Sequence, residues 1–194
     1  MSRIIAGSRR GHRLQTPPGD ATRPTSDRVR EALFSALASW SGTASAPVEE
    51  SLAGLAVLDL YAGSGAVGLE AASRGAGPVL LVESDARTAG VARRNAGDLG
   101  LAASVRTSAV ETLARAVADR AYDVVFADPP YALGAERLDA VVADLLAQGW
   151  VAPDGLLVLE RSSRTPAPTW PGAVGDSWTR AYGETVLHFA SVGP

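Results

Sequence analysis

The stretch LDLYAGSGAVGLEA, residues 58–71, decides the fold. It belongs to a continuous apolar run, LAVLDLYA, that passes through Gly63-x-Gly65-x-x-Gly68 into a helix starting near Ala66. An apolar strand, a glycine-rich turn and a helix, in that order, place a nucleoside-containing cofactor across the carboxyl end of the strand, at the switch point of a parallel sheet. Glu83 closes the next apolar run, GPVLLVES, about where an acid grips ribose hydroxyls. The plain alternative is a tight strand-to-helix turn with no ligand. Asp59 stands in front of the loop, where its negative charge disfavours a pyrophosphate and suits a cationic ligand.

The rest of the chain repeats this alternation. Helices are expected over about 86–99, around AVETLARAVA and over GAERLDAVVADLLAQG. Strands are expected at ASVRTS, YDVVFAD and GLLVLER. Apolar strands alternating with helices argue for a mainly parallel sheet covered on both faces. The tail SWTRAYGETVLHFA breaks at Tyr182-Gly183 and reads as an antiparallel hairpin closing the sheet. At the other end, RIIAG and HRLQT flank the turn GSRRG, a small hairpin with arginines at its tip. Thr25 or Ser26 can cap a helix to about Trp40 that buries Val29, Leu33, Phe34 and Leu37. The chain is expected to divide into an arm, 1–24, and a main domain, 25–194, within which residues 41–51 read as a linker loop.

What the composition lacks narrows the chemistry. Among 194 residues there is no cysteine, and all 18 basic residues are arginines. Thiolate metal sites, thiol nucleophiles, Schiff-base lysines and the P-loop lysine are therefore excluded. Only His12 and His188 carry imidazole, and no metal site is expected. The charge is uneven: residues 1–30 carry seven arginines against Asp20 and Asp27, and the remainder is strongly acidic. A basic arm on an acidic body suits a polyanion on one face. A solvated N-terminus is the plain alternative. The N-terminus has no apolar segment of signal-peptide type and no run reaches the ~20 residues of a membrane span, so a cytoplasmic protein is expected.

DLYAGSGAVGLEA with VESD resembles the cofactor half of class I S-adenosylmethionine-dependent methyltransferases, which have a Rossmann-like fold. In that company Asp128-Pro129-Pro130-Tyr131, directly behind the strand YDVVFAD, gains a meaning beyond a rigid turn. Methylating an exocyclic amine requires localising a nitrogen lone pair that is delocalised into the base. Hydrogen bonds from the amine to Asp128 and to the Pro129 carbonyl would aim that lone pair at a sulfonium methyl. Tyr131 would stack on an extruded base. The motif leaves adenine N6, cytosine N4 and guanine N2 open, on DNA or RNA.

TRPTSDRVREALFSAL (22–37), with RIIAG and LDLYAGSGAVGLEAASRGA, closely resembles the RsmD family, bacterial enzymes that methylate N2 of one guanine in 16S ribosomal RNA. The resemblance extends over nearly the whole chain. It implies a class I fold with a mainly parallel seven-stranded sheet and a small N-terminal β-hairpin that engages RNA. It implies S-adenosyl-L-methionine as cofactor and the small subunit, or its assembly intermediate, as partner, with a monomer expected. It also places Gly63, Ser64 and Gly65 beneath the methionine part, among Asp59, Tyr61 and Ala62, with Asp128 bordering the cofactor as well. Glu83 and Ser84 fall at the ribose, and Asp85, Ser108 and Ala109 at the adenine. Thr25, Asp27 and Arg30 would close over the cofactor's amino-acid end, although an ion pair with Asp27 accounts for Arg30 equally well. Arg9, Arg10, His12, Arg13 and Arg23 would meet RNA. The rival readings are a DNA adenine-N6 methyltransferase, for which no target-recognition domain fits in this length, and a non-catalytic ribosome assembly factor.

Overall fold

A computed structural model describes residues 2–17 and 26–193. Seven strands form one sheet: β3 (Val57–Leu60), β4 (Val79–Glu83), β5 (Ala103–Thr107), β6 (Tyr122–Ala127), β7 (Val151–Ser162), β8 (Val174–Tyr182) and β9 (Thr185–Val192). Their order is β5-β4-β3-β6-β7-β9-β8, parallel except where β9 pairs antiparallel with β7 and β8. This is the class I methyltransferase arrangement expected from the sequence, including the antiparallel closing hairpin.

The apolar character of the strands sets two cores. Alternate residues face opposite sides, so Val57, Leu81, Phe126 and Val158 join one cluster and Leu58, Leu80, Val125 and Leu157 the other. The first cluster packs under α1 (Asp27–Trp40), α2 (Ala66–Ser73) and α3 (Ala86–Leu99). The second packs under α4 (Val110–Ala114) and α5 (Ala135–Ala147). Helix α1 starts at Ser26, whose side chain accepts from Val29 N–H, and buries Val29, Leu33, Phe34 and Leu37 as its spacing predicts. Helix α3 starts at Asp85, which caps Thr88 N–H, and ends at Gly100 in the left-handed conformation. Residues 41–51 hold turns and a short 3-10 helix, Val48–Glu50.

The N-terminal hairpin is present, but its strands β1 (Ser2–Arg3) and β2 (Arg13–Leu14) are shorter than RIIAG and HRLQT suggest. The cause is competition for backbone donors. Ile5 and Ala6 donate their N–H groups to the two Glu70 carboxylate oxygens, at 2.6 and 2.9 Å. Gln15 donates its N–H to Asn95 Oδ1 at 2.8 Å. The turn is clamped as well: Ser8 N–H reaches the Ser73 carbonyl and Arg9 N–H the Ser73 Oγ. Side chains of α2 and α3 thus take the bonds a longer ladder would have used.

Candidate active site

The sheet reverses its order between β3 and β6, the place where open α/β sheets bind ligands. Leu60 and Ala127 are register partners at the ends of these strands. The loops that follow, Tyr61–Gly65 and Asp128–Tyr131, therefore leave the sheet side by side. Tyr61 adopts φ 58, Gly63 φ 56 and Gly65 φ 84, which turns the chain sharply into α2. Gly68 serves a different purpose. A Cβ there would stand 2.1 Å from Leu81 Cδ2 and 3.1 Å from Asp59 Oδ2, so only glycine lets α2 lie this close to the sheet.

Asp59 does not face the mouth of the loop, as its place in the sequence suggested. It is 1% exposed, lies under α2, and its Oδ2 accepts from Gly68 N–H at 2.8 Å. The reason is strand parity: Asp59 shares the inward face of Val57, which α2 covers. Burial is the chief cause that pushes its carboxyl up to about 7; the Gly68 bond opposes the rise, and Asp128 and Glu83 add to it. The folded protein then holds a proton that the unfolded chain releases near 3.8, so this group's stabilising effect, full at low pH, is lost as pH rises through about 7. Replacing Asp59 with Asn keeps an acceptor for Gly68 and removes the charge. Denaturant titrations are expected to show the variant gaining on wild type between about pH 4 and about pH 7; a gap that stays constant over that range contradicts this.

Glu83 organises the neighbouring loop. Its Oε2 accepts from Gly63 N–H at 2.9 Å and its Oε1 from Asp85 N–H at 2.9 Å, with Ser84 Oγ at 3.3 Å. Its carbonyl accepts from Ser108 N–H, which brings Ser108 and Ala109 to the same rim. Asp85 is fully exposed, and its bonds to Thr88 hold its carboxyl below the usual range. The Tyr61 hydroxyl is buried without a hydrogen-bond partner among the described residues, and burial raises its pKa.

In the second loop Asp128 is half-buried, Pro129 buried and Pro130 exposed. Tyr131 is 72% exposed, a large ring held in the open. The Pro130 carbonyl accepts from Leu133 N–H, and the buried Arg161 donates from Nη2 to the Leu133 carbonyl at 3.1 Å. Arg161 pins the loop from β7, a role its sequence position did not disclose.

At the head of α1, Asp27 and Arg30 meet, but Arg30 is not poised over an open cleft. It is 1% exposed and donates from Nη2 to Asp27 Oδ1 at 2.7 Å and to the Arg3 carbonyl at 3.0 Å. It lies 3.9 Å from the buried Glu70. Asp27 keeps partial exposure; burial raises its carboxyl, but Arg30 and Arg3 outweigh it and hold the pKa below the usual value. Thr25 and Arg23 lie outside the described residues. On the hairpin, Arg10, His12 and Arg13 are exposed. Arg9 instead turns inward and donates from Nε to the Leu99 carbonyl at the end of α3, where the helix dipole favours a cation. Among the described residues no group of three or more acids and histidines could hold a metal ion, and no helix is long and apolar enough to cross a membrane. A shallow hollow of about 410 Å³ lined by Trp40, Asp154, Asp176 and Ser191 opens elsewhere, towards the start of β7 and β8.

The family model described as Conserved hypothetical protein 95 matches residues 2–191. Ribosomal RNA small subunit methyltransferase D of Escherichia coli K12 is 37% identical over 171 residues, covering 87% of this chain and 79% of the relative. The chain belongs to this family, the RsmD family. A solved structure of a hypothetical protein from Thermus thermophilus covers 100% of both chains at 33% identity and a TM-score of 0.77. The Thermus thermophilus 16S rRNA guanine-N2 methyltransferase RsmC, solved with AdoMet and guanosine, is 25% identical with a TM-score of 0.65. The alignment takes in 90% of this chain and 44% of RsmC.

Proposed function

We propose that this chain uses S-adenosyl-L-methionine to methylate the exocyclic N2 amine of one guanine in 16S ribosomal RNA, within the small subunit or its assembly intermediate, in the cytoplasm. The observation that carries the reading is the side-by-side exit of the glycine loop and the Asp128–Tyr131 loop from register partners Leu60 and Ala127. The names of the Escherichia coli relative and of RsmC, solved with AdoMet and guanosine, support it.

The residues present fit the cofactor. A Cβ on Gly63 would meet nothing within 4 Å, so the loop has an open side where a ligand can approach the backbone. Asp128 and Glu83 both act electrostatically on the buried Asp59, whose own charge burial suppresses, so two carboxylates stand by the loop and favour a cation over a pyrophosphate. When bound, the cofactor supplies an electrophilic methyl on a sulfonium centre. Glu83, aimed by the Gly63 and Asp85 N–H groups, holds the ribose hydroxyls. Ser84 stands beside Glu83 at the ribose, Asp85, Ser108 and Ala109 border the adenine, and Tyr61, Ala62, Gly63, Ser64 and Gly65 form the floor under the methionine. Asp59 acts from beneath by fixing Gly68. Asp27 closes the amino-acid end with Thr25, and Arg30 positions Asp27.

Asp128 and the Pro129 carbonyl accept hydrogen bonds from the guanine amine and turn its lone pair towards the methyl. Positioning of this kind supplies most of what the transfer needs. Tyr131 stacks on the extruded base and offsets part of the few kcal/mol that unstacking costs. The methylated amine then loses its proton to Asp128 or water, so neither lysine nor cysteine is required. Calorimetric titration with S-adenosylhomocysteine and with NAD tests the cofactor. Binding of the first alone is expected, and binding of NAD alone defeats the reading.

Arg10, His12 and Arg13 offer the hairpin's exposed contacts to RNA, with Arg23 beyond the described residues. Arg10→Ala and Arg13→Ala are each expected to lower the salt slope of subunit binding by about 0.7 to 0.9. Binding curves taken across salt concentrations check this, and an unchanged slope contradicts it. Arg9→Ala acts mainly through docking of the hairpin on α3.

A further inference from the structure

Asn95 is 2% exposed on the inward face of α3, and its side-chain hydrogen bonds leave the helix. Its Oδ1 accepts from Gln15 N–H at 2.8 Å. Its Nδ2 donates to the Gln15 carbonyl at 3.0 Å and to the Ser64 carbonyl at 2.9 Å. Gln15 immediately follows β2 of the hairpin, and Ser64 is the centre of the Gly63–Gly65 turn. One buried amide therefore ties the backbone of the arginine-bearing hairpin to the backbone of the glycine loop. A buried amide costs free energy unless its bonds are made, and an apolar side chain would serve a purely packing role among Ala92, Ala96 and Leu99.

The other side of the hairpin bears on the helix that the glycine loop leads into. Glu70 and Ser73 of α2 hold Ile5, Ala6, Ser8 and Arg9. Gly7, at φ 82, lies so close that a Cβ would stand 2.0 Å from the Ser73 carbonyl oxygen. A displacement of the hairpin thus reaches the loop from two directions, through α2 and through Asn95.

We propose that Asn95 is a positioning residue that couples the hairpin to the glycine loop, so that RNA at the first and cofactor at the second tighten each other's binding. This rests on the functional reading above. Because such coupling is reciprocal, it can be read from either ligand.

The test measures the affinity of small ribosomal subunits for the protein with and without S-adenosylhomocysteine, and the affinity of S-adenosylhomocysteine for the protein alone. Wild type, Asn95→Asp and Gly7→Ala are compared at a temperature where circular dichroism shows each folded. Asn95→Asp keeps the acceptor for Gln15 N–H and removes both Nδ2 donors. In wild type S-adenosylhomocysteine is expected to raise subunit affinity about fivefold or more. In Asn95→Asp that ratio is expected to fall to about 1, with S-adenosylhomocysteine bound about tenfold more weakly. Gly7→Ala pushes the hairpin off Ser73 while leaving Asn95 and the loop chemically intact, and is expected to weaken S-adenosylhomocysteine about threefold. It decides the matter if Asn95→Asp does not fold. An unchanged ratio in Asn95→Asp, a ratio of 1 in wild type, or wild-type ligand affinity in Gly7→Ala overturns the proposal alone. A wild-type protein that binds no S-adenosylhomocysteine overturns the functional reading and the coupling with it.

Discussion

Asp128→Ala is expected to lower methyl transfer about 100- to 1000-fold, the scale of losing one group aimed at the reacting centre. S-adenosylhomocysteine affinity should stay within about threefold of wild type, the pattern of an interaction made in the transition state alone. The division follows from the geometry. Asp128 leaves β6 beside the glycine loop, while the bonds that shape that loop come from Glu83, Asp59 and Asn95. Single-turnover kinetics and calorimetry on the same preparation separate the two effects. A cofactor affinity that falls in step with the rate contradicts the assignment of Asp128 to the amine.

The largest effect on stability is expected at Glu70. This fully buried carboxylate accepts from Ile5 and Ala6 N–H and pairs with Arg74 at 3.0 Å. Arg30, with two guanidinium nitrogens that have no hydrogen-bond partner among the described residues, lies within 3.9 Å. The Arg74 guanidinium also sits 4.6 Å from the centroid of the Phe34 ring. Glu70→Ala removes the anion between two buried guanidinium groups and leaves two backbone donors unpaired. Breaking a buried pair in this way costs about 3 to 5 kcal/mol. Urea unfolding should show that loss, and hydrogen exchange should show lost protection at Ile5 and Ala6. A loss below about 1 kcal/mol means that the arginines find other partners and contradicts the account.

The sheet was readable because β3, β4 and β6 are uninterrupted apolar runs, and because Ser26, Asp85 and Gly100 punctuate their helices with ordinary caps. The glycine loop and the Asp128–Tyr131 loop were readable because their spacing is set by local backbone geometry. What escaped depends on contacts far apart in sequence. The hairpin strands are short because Glu70, 65 residues from Ile5, takes its backbone donor. Arg9 resembled its neighbours Arg10 and Arg13, yet Leu99, 90 residues away, turns it inward. Asp59 was misplaced for a different reason: its neighbours in a fully buried strand already implied that its side chain is covered. A signal for Glu70 was also present, since a lone acid with Arg74 four residues on, in the apolar stretch AVGLEAAS, has to find a buried cation.

The most direct measurement of the central claim supplies labelled S-adenosyl-L-methionine and the wild-type protein to small ribosomal subunits from cells lacking the corresponding gene. The ribosomal RNA is then digested and its nucleosides separated. The account predicts label in N2-methylguanosine from 16S RNA and nowhere else. Label in a different nucleoside, or in DNA with none in the subunits, contradicts it.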